Sequence, residues 1–235
     1  LVVIGILIAL QINNWNENNK LQKVEKIYLK RLLVDLNKDK ELRGNISNRK
    51  SNQIENAYKL LDVASTIKKS KTVQLNSLIG YFKPAITWIS ITTNQSTYTE
   101  LLSSGNLDLI NNDSIKIKLL ELDNSYKRLE KWSEIVKKDH TKIFNALTST
   151  INAVNFLPMD EDFKKRTGRK FTNSETLENL EELNKEFSML LTKNMFITSL
   201  SGMIDNHKRQ LPLINELESN VDSLIKLVES ELINK

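Results

Sequence analysis

The sequence of 235 residues contains no cysteine and only six glycines and three prolines. Without cysteine the chain has no disulfide framework, no thiol nucleophile and no cysteine-ligated metal site. Glycine and proline make tight turns, so their scarcity argues against a sheet-rich fold and favours long helices. The chain is 40% hydrophobic and 27% charged, a composition that excludes both a disordered chain and a multi-span membrane protein.

Catalytic and cofactor-binding signatures are also missing. The sequence has no Gly-x-Ser-x-Gly nucleophile motif, no phosphate-binding loop and no dinucleotide fingerprint. Its two histidines, His140 and His207, form neither the His-x-x-x-His nor the Glu-x-x-His pair of a helical metal site. His140 is compatible with a ligand or a pH switch, but a partly buried ring with one hydrogen bond is the favoured interpretation. His207 is expected to be exposed. We predict no enzymatic activity, no metal and no cofactor.

Positive charge is concentrated near the start of the chain. Residues 16–71 carry 14 basic and 7 acidic side chains, whereas residues 72–235 carry 20 basic and 22 acidic ones. A basic arm followed by a near-neutral remainder favours an anionic lipid surface or an acidic partner. The aromatic residues are not interleaved with basic ones, as a stacking platform for nucleic acid requires, so no nucleic-acid partner is predicted.

The chain opens with an apolar run, LVVIGILIALQI. Such a segment rises about 18 Å at ~1.5 Å per helical residue, too little for a hydrocarbon core of about 30 Å, so residues 1–13 are interpreted as the C-terminal part of a transmembrane helix. Trp15 follows among asparagines, where an interfacial indole anchors a helix. A buried core helix or strand is the alternative. The residues predicted to be embedded in the membrane are Leu1, Val2, Val3, Ile4, Gly5, Ile6, Leu7, Ile8, Ala9 and Leu10.

Two segments carry a family resemblance. The first is IGILIALQINNWNE, Ile4 to Glu17, before a lysine-rich helix; the second is YTELLSSGNLDLINN, Tyr98 to Asn112, with Tyr126 in the next helix. Together they resemble an uncharacterised Bacteroidota family of membrane-anchored helical proteins, the domain of unknown function numbered 6090. The resemblance implies a short basic cytoplasmic N-terminus, one transmembrane helix and a helical domain on the far side, in the periplasm. It implies no activity.

The charges next to the membrane exit favour the opposite topology. Lys20, Lys23, Lys26, Lys30 and Arg31 lie within about 20 residues of that exit, a pattern that the positive-inside rule assigns to the cytoplasm. Long domains, however, translocate with little regard for their charge. The resemblance implies a strongly basic flank before the membrane segment, and on that ground we expect a single pass through the bacterial inner membrane, with the helical domain in the periplasm.

Hydrophobic periodicity divides the chain into long helices. A stripe that begins at Leu21 and Val24 predicts one helix over 17–68, with Gly44 as its weak point. The predicted fold is all-α: an elongated antiparallel bundle of three long helices with a short helical insert, preceded by the C-terminal part of a transmembrane helix. Its segments are the membrane segment over residues 1–13, a juxtamembrane long helix over 14–71, a compact insert with short helices over 72–112, a second long helix over 113–156, a polar loop over 157–174 and a C-terminal helical segment over 175–235, kinked near Pro212.

The SSGN motif predicts a helix end. Thr93 to Ser96 offer N-caps for a short helix that ends at Ser104. Gly105 then suits the left-handed position after a helix, because glycine takes that conformation without a steric penalty. Asn112 or Asp113 is expected to cap the next helix.

A dense basic segment lies in the predicted polar loop. Five cations around Gly168 suit a phosphate, a lipid head group or an anionic glycan, although such runs are usually only solvated. The preceding Met159–Phe163 holds three carboxylates but lacks the alternating ligands and turn glycine of a calcium loop, so we expect it to be solvated. The candidate anion or lipid contacts are Lys164, Lys165, Arg166, Arg169 and Lys170.

These features favour a non-enzymatic, membrane-anchored scaffold or interaction protein of the bacterial cell envelope. An extracytoplasmic ligand-sensing bundle is the alternative. The expected partners are the membrane and another envelope protein. Self-association is also predicted, because Gly5 and Ala9 form a small-xxx-small pair and the stripe from Ile214 to Val228 has the spacing of a water-exposed coiled-coil seam. Alternatively, that stripe packs inside the chain's own core.

Overall fold

A computed structural model of the chain describes residues 2–70, 75–91 and 94–234, without the side chains of 68–70, 75–77 and 79. Over these residues the fold is all-α, as predicted, and no strand is present. The helices are α1 (Val2–Arg43), α2 (Ile46–Ser70), α3 (Leu75–Ile86), α4 (Ser96–Ser103), α5 (Asp113–Thr148), α6 (Glu161–Thr167), α7 (Asn173–Thr192), α8 (Asn194–Ile233) and two 3₁₀ helices, Asn106–Leu109 and Ala153–Met159. Within the described residues, no helix holds an apolar stretch of the length that a bilayer crossing demands.

The single helix predicted over 17–68 is wrong, because the structure has two helices there. α1 and α2 separate at Gly44 and Asn45, and the Gly44 amide donates to the Glu41 carbonyl at 3.3 Å. Glycine is a poor helix former, by about 1 kcal/mol relative to alanine. The interruption therefore falls at the residue that we expected to be the weak point.

The segment predicted as a polar loop, 157–174, contains helical structure. The 3₁₀ helix ends at Met159 and α6 follows it. The Asp160 carboxylate caps α6 by accepting the Phe163 amide at 2.9 Å, and Gly168 ends the helix with φ +68°. Local caps thus stabilise a short helix in a polar segment where hydrophobic periodicity gives no signal.

The C-terminal segment divides at Lys193, and the kink expected near Pro212 stays a prediction. The helical chain is interrupted at Lys193, between α7 and α8, whereas α8 continues through Pro212. A proline inside a helix costs about 3 kcal/mol. Gln210 and Ile214, on either side of the proline, are fully buried. Packing of α8 on both sides of Pro212 therefore outweighs the local penalty.

The chain forms two compact units. The first comprises Leu1–Asn45, Ile91–Leu129 and Leu213–Lys235, and the second comprises Ile46–Ser90 and Glu130–Pro212. Each unit contains segments that are distant in the sequence. The arrangement of the long helices as one antiparallel bundle stays a prediction.

The core of the first unit is mainly aliphatic. α1 contacts α4 and the 3₁₀ helix Asn106–Leu109, and Leu29, Leu101 and Ile110 are fully buried there. The stripe on α8 that was expected to be a water-exposed seam is also buried in this chain, which corrects that prediction. Its buried members are Ile214, Leu217, Val221, Leu224 and Val228.

The core of the second unit has an aromatic centre. Phe82 on α3 packs edge-on against Phe187 of α7, with ring centroids 5.0 Å apart, and parallel to Phe196 of α8 at 6.0 Å. Pairs at these separations stabilise a core beyond the area that they bury. α2 packs against both α3 and α7 in the same unit.

Candidate functional site

The motif segment, residues 94–112, follows the local structure that the sequence predicts. α4 ends at Ser103 with Ser104 as its C-cap, and Gly105 takes φ +70°. The Asn112 side chain caps α5 by accepting the amide of Ser114 at 3.0 Å. These three predictions are confirmed. The expected side-chain cap for α4 is wrong among the described residues, because Gln95 is at the N-cap position and makes no side-chain cap bond; Thr93 lies outside these residues.

Acidic side chains of α1 hold the motif segment in place. At one end, Glu25 accepts both the backbone amide and the side-chain amide of Asn111, each at 2.7 Å. Glu25 is fully buried although it is a carboxylate. Burial of a charged group requires hydrogen-bond partners, and Asn111 supplies two. This contact fixes the end of the motif segment next to α5.

A second contact lies in the middle of the segment, at Glu100. Its carboxylate accepts the Tyr28 hydroxyl and Arg31 Nη1, both at 3.1 Å, and Arg31 Nη2 pairs with its other oxygen. The hydrogen bond from Arg31 lowers the pKa of Glu100 below its usual value. Because the pair is exposed, its main effect is on the orientation of α4 and less on stability.

A third contact caps the start of α4. Asp35 accepts the Thr97 amide at 2.8 Å and the Ser96 hydroxyl at 2.9 Å, whereas Gln95, at the N-cap position, makes no side-chain cap bond. Burial acts to raise the pKa of Asp35, but the hydrogen bonds from Thr97, Ser96 and Asn94 outweigh it and lower the pKa. A carboxylate at a helix N-terminus is also stabilised by the positive end of the helix dipole. α1 therefore supplies the cap that the local sequence lacks.

The fourth contact is a buried ionic group. Asp39 and Arg43 form an ion pair one turn apart on α1, the Tyr126 hydroxyl donates to Asp39, and the Asn94 amide donates to the same carboxylate at 3.2 Å. Burial raises the pKa of both Asp39 and Tyr126. The cost of removing both charges from water offsets much of their attraction, so a buried pair of this kind is weak evidence for added stability. Tyr126 belongs to the family resemblance, but its partners on α1 were not predicted.

A cavity of about 140 Å³ lies near this ionic group, in the first unit. An ion pair between Lys40 and Asp222, at 2.7 Å, lies at its wall. Its volume is enough for a small organic molecule. The lining residues are Lys40, Arg43, Gly44, Glu218, Val221 and Asp222.

The two histidines have different environments in the second unit. The His140 prediction is confirmed: the ring is half-buried and its Nε2 lies 2.5 Å from the Ile86 carbonyl. The His207 prediction is wrong, because this ring is almost completely buried. Its Nδ1 lies 3.1 Å from Lys50 Nζ and 3.2 Å from Gln210 Oε1. Burial, and secondly the Lys50 charge, lower the pKa of His207 to about 4.

The basic segment is partly engaged in local contacts. Lys164 pairs with Glu161 at 2.5 Å, Arg166 pairs with Asp162 at 2.7 Å, and Arg169 lies over the Phe171 ring. Lys164, Lys165 and Arg166 are on α6, and Arg169 and Lys170 follow it. The anion or lipid contact stays a prediction. Among the described residues, no group of three or more acidic or histidine side chains is placed to hold a metal.

The N-terminal part of α1 is exposed in the described structure. Every residue from Val2 to Ile12 is exposed, and Trp15 is 67% exposed. A Cβ added at Gly5 meets no atom within 4 Å. Self-association through Gly5 and Ala9 stays a prediction, and Leu1 lies outside the described residues.

These observations define the class: an all-α protein of two compact units, in which acidic residues of α1 hold the motif segment. The chain belongs to a family of unknown function, DUF6090, whose profile matches residues 1–175. The resemblance to this family of unknown function is thereby confirmed, whereas the Bacteroidota origin and the membrane anchoring stay predictions. No curated protein and no solved structure matches the chain.

Proposed function

We propose that the chain is a membrane-attached helical scaffold or interaction protein of the bacterial cell envelope, without catalysis of its own. The exposed apolar segment of α1, Val2 to Ile12, carries the proposal. A helix that is apolar on all sides is ordinarily buried in a protein core or in a bilayer. Transfer of its eight large apolar side chains out of water is favourable by on the order of 10 kcal/mol.

The geometry of this segment fits an anchor. Its 11 residues span about 16 Å at ~1.5 Å per residue, about half of a ~30 Å hydrocarbon core. Trp15, one turn beyond Ile12, is exposed and suits the boundary between lipid and water. We propose a single pass through the inner membrane of a Bacteroidota cell, with both helical units in the periplasm.

The scaffold role is supported by the way the first unit uses its charged groups. Glu25, Asp35 and Glu100 each bind another segment of the same unit. Such bonds define one arrangement of helices, which is what a protein that presents a surface to partners requires. The proposed partners are another envelope protein and a second copy of this chain.

Vesicle association tests the anchoring. Purified protein should float with phospholipid vesicles, and Ile6→Lys with Leu7→Lys should abolish flotation. The matched control is Ile27→Lys with Val34→Lys. These residues lie on the same helix and are equally exposed, at 57% and 54% against 55% and 57% for Ile6 and Leu7. Equal loss of binding in both pairs would contradict anchoring through the apolar segment.

Thiol labelling tests the topology. Since the chain has no cysteine, Ser219→Cys creates a single exposed thiol in the first unit. A membrane-impermeant maleimide added to spheroplasts should label it. Labelling that requires lysis of the inner membrane places the domain in the cytoplasm and overturns the proposed topology.

A ligand-sensing role is the second candidate, and the cavity beside Arg43 is the observation that favours it. Native mass spectrometry of the protein purified from its own membranes distinguishes the two roles. A stoichiometric small molecule, lost in Val221→Trp, supports sensing. A stoichiometric protein without such a molecule supports the scaffold.

A further inference from the structure

A second, much smaller cavity lies inside the first unit, where α1, the motif segment and α5 meet. Its volume is about 20 Å³. Leucines of α1 and α5 form its apolar wall. Its polar lining residues are Asp35, Asn94, Gln95, Tyr98 and Tyr126. Five polar residues in the lining of so small a cavity indicate a site for a polar occupant.

The hydroxyl of Tyr98 has no hydrogen-bond partner among the described protein atoms. The side chain is only 6% exposed, so bulk water does not solvate this hydroxyl. Burial raises the pKa of Tyr98 to about 12, which keeps the phenol protonated and able to donate. A buried polar group without a partner lowers the folding equilibrium constant by on the order of 10-fold or more, and native proteins rarely leave one so.

We propose that this cavity binds a single water molecule, which accepts the hydrogen bond of the Tyr98 hydroxyl and donates to the neighbouring polar side chains. A bound water needs about 10–15 Å³ of accessible volume and two to four polar partners. The cavity has the required volume, and five polar residues are part of its lining.

The neighbouring groups have acceptor capacity to spare. The Asp35 carboxylate, which offers about four acceptor positions, receives three protein donors: Asn94 Nδ2, Ser96 Oγ and the Thr97 amide. Asn94 and Gln95, whose side chains also carry acceptor oxygens, line the same cavity. The water therefore links Tyr98 of the motif to the carboxylate of α1 that caps α4.

The sign of one stability change tests the proposal. In Tyr98→Phe, loss of a water-mediated hydrogen bond should raise the unfolding equilibrium constant about 5–10-fold. If the hydroxyl has no water partner, its removal relieves an unsatisfied group, and the constant stays unchanged or falls. That result overturns the proposal. Tyr58→Phe, which removes the same atom from an exposed ring, should change the constant by less than about twofold.

Detection of the water itself provides an independent measurement on the wild-type protein. Water-selective NMR should show cross-relaxation between a long-lived water and the side-chain amides of Asn94 and Gln95. Tyr98→Phe should weaken or abolish these signals. Their absence in the wild type, under conditions where surface waters are detected, refutes the site whether or not the variant folds.

Discussion

Replacement of Lys50 by methionine is expected to stabilise the second unit. Lys50 is 1% exposed, and none of the ion pairs among the described residues includes it. Its Nζ donates to Gln210 Oε1 at 2.8 Å and lies 3.1 Å from His207 Nδ1, so no anionic group is among these polar neighbours. Burial, and secondly the charge of Arg49, lower the pKa of Lys50 from 10.5 to about 8.

The size of the effect follows from this shift. At about 1.4 kcal/mol per pKa unit, the folded state disfavours the Lys50 ammonium by about 3 kcal/mol. Methionine has a similar length and removes this penalty at pH 7, but it loses the hydrogen bond to Gln210, which contributes about 1 kcal/mol. A net gain of about 2 kcal/mol in the free energy of unfolding is expected.

The pH dependence gives a second signature of the same effect. Because the pKa of Lys50 is lower in the folded state, the unfolded chain binds more protons between pH 8 and pH 10.5, and stability rises with pH across that window. Guanidinium unfolding at pH 7, 9 and 10.5, followed by circular dichroism, should show this rise in the wild type and its loss in Lys50→Met. Lys59→Met, on the exposed face of α2, should leave both stability and slope unchanged. A destabilised Lys50→Met that keeps the slope refutes the reasoning.

Three shorter predictions concern other groups. Gly105→Ala should destabilise the first unit by about 1 kcal/mol in thermal melts, since φ at Gly105 is +70°. The control Gly80→Ala should not destabilise the protein, because Gly80 is inside α3 and the new Cβ enters open space. Arg43→Ala should lower the free energy of unfolding by about 3–5 kcal/mol, because it leaves the Asp39 carboxylate buried without its ion-pair partner. Adding Asp39→Ala should restore part of this stability, and no recovery would contradict the pairing. The buried His207 has its pKa lowered to about 4, so stability should fall by up to about 3 kcal/mol as the pH drops from 6.5 to 4, and His207→Gln should remove that slope in urea titrations.

The sequence predicts a feature correctly where that feature depends only on a residue and its neighbours in the sequence. Gly105 needs only its own backbone conformation, and Asn112 caps the helix that begins at the next residue. The family assignment likewise depends on contiguous segments. Such features are encoded within a few residues, so a sequence pattern is enough to identify them.

The contacts between distant segments could not be predicted in the same way. Glu25 and its partner Asn111 are 86 residues apart, and nothing in either neighbourhood specifies the other. One signal was present: Glu25, Asp39 and Arg43 lie on the same stripe of α1 as Leu29 and other buried leucines, and charged residues there require buried partners. His207 was expected to be exposed because its sequence neighbours are charged. Those neighbours lie on the exposed face of α8, whereas His207 lies on the buried face of the same helix.

The cap on α4 has a consequence for the order in which the first unit forms. α4 has only eight residues, too few to be stable as an isolated helix, and its N-cap residue supplies no side-chain bond. The capping carboxylate comes from Asp35, 62 residues before Thr97. The start of α4 is therefore specified by α1, and we expect this helix to form only once α1 lies beside it. A slip of α1 by one residue, about 1.5 Å, moves the carboxylate out of line with Thr97 and frees α4, which makes this short helix a sensitive reporter of whether α1 is in register.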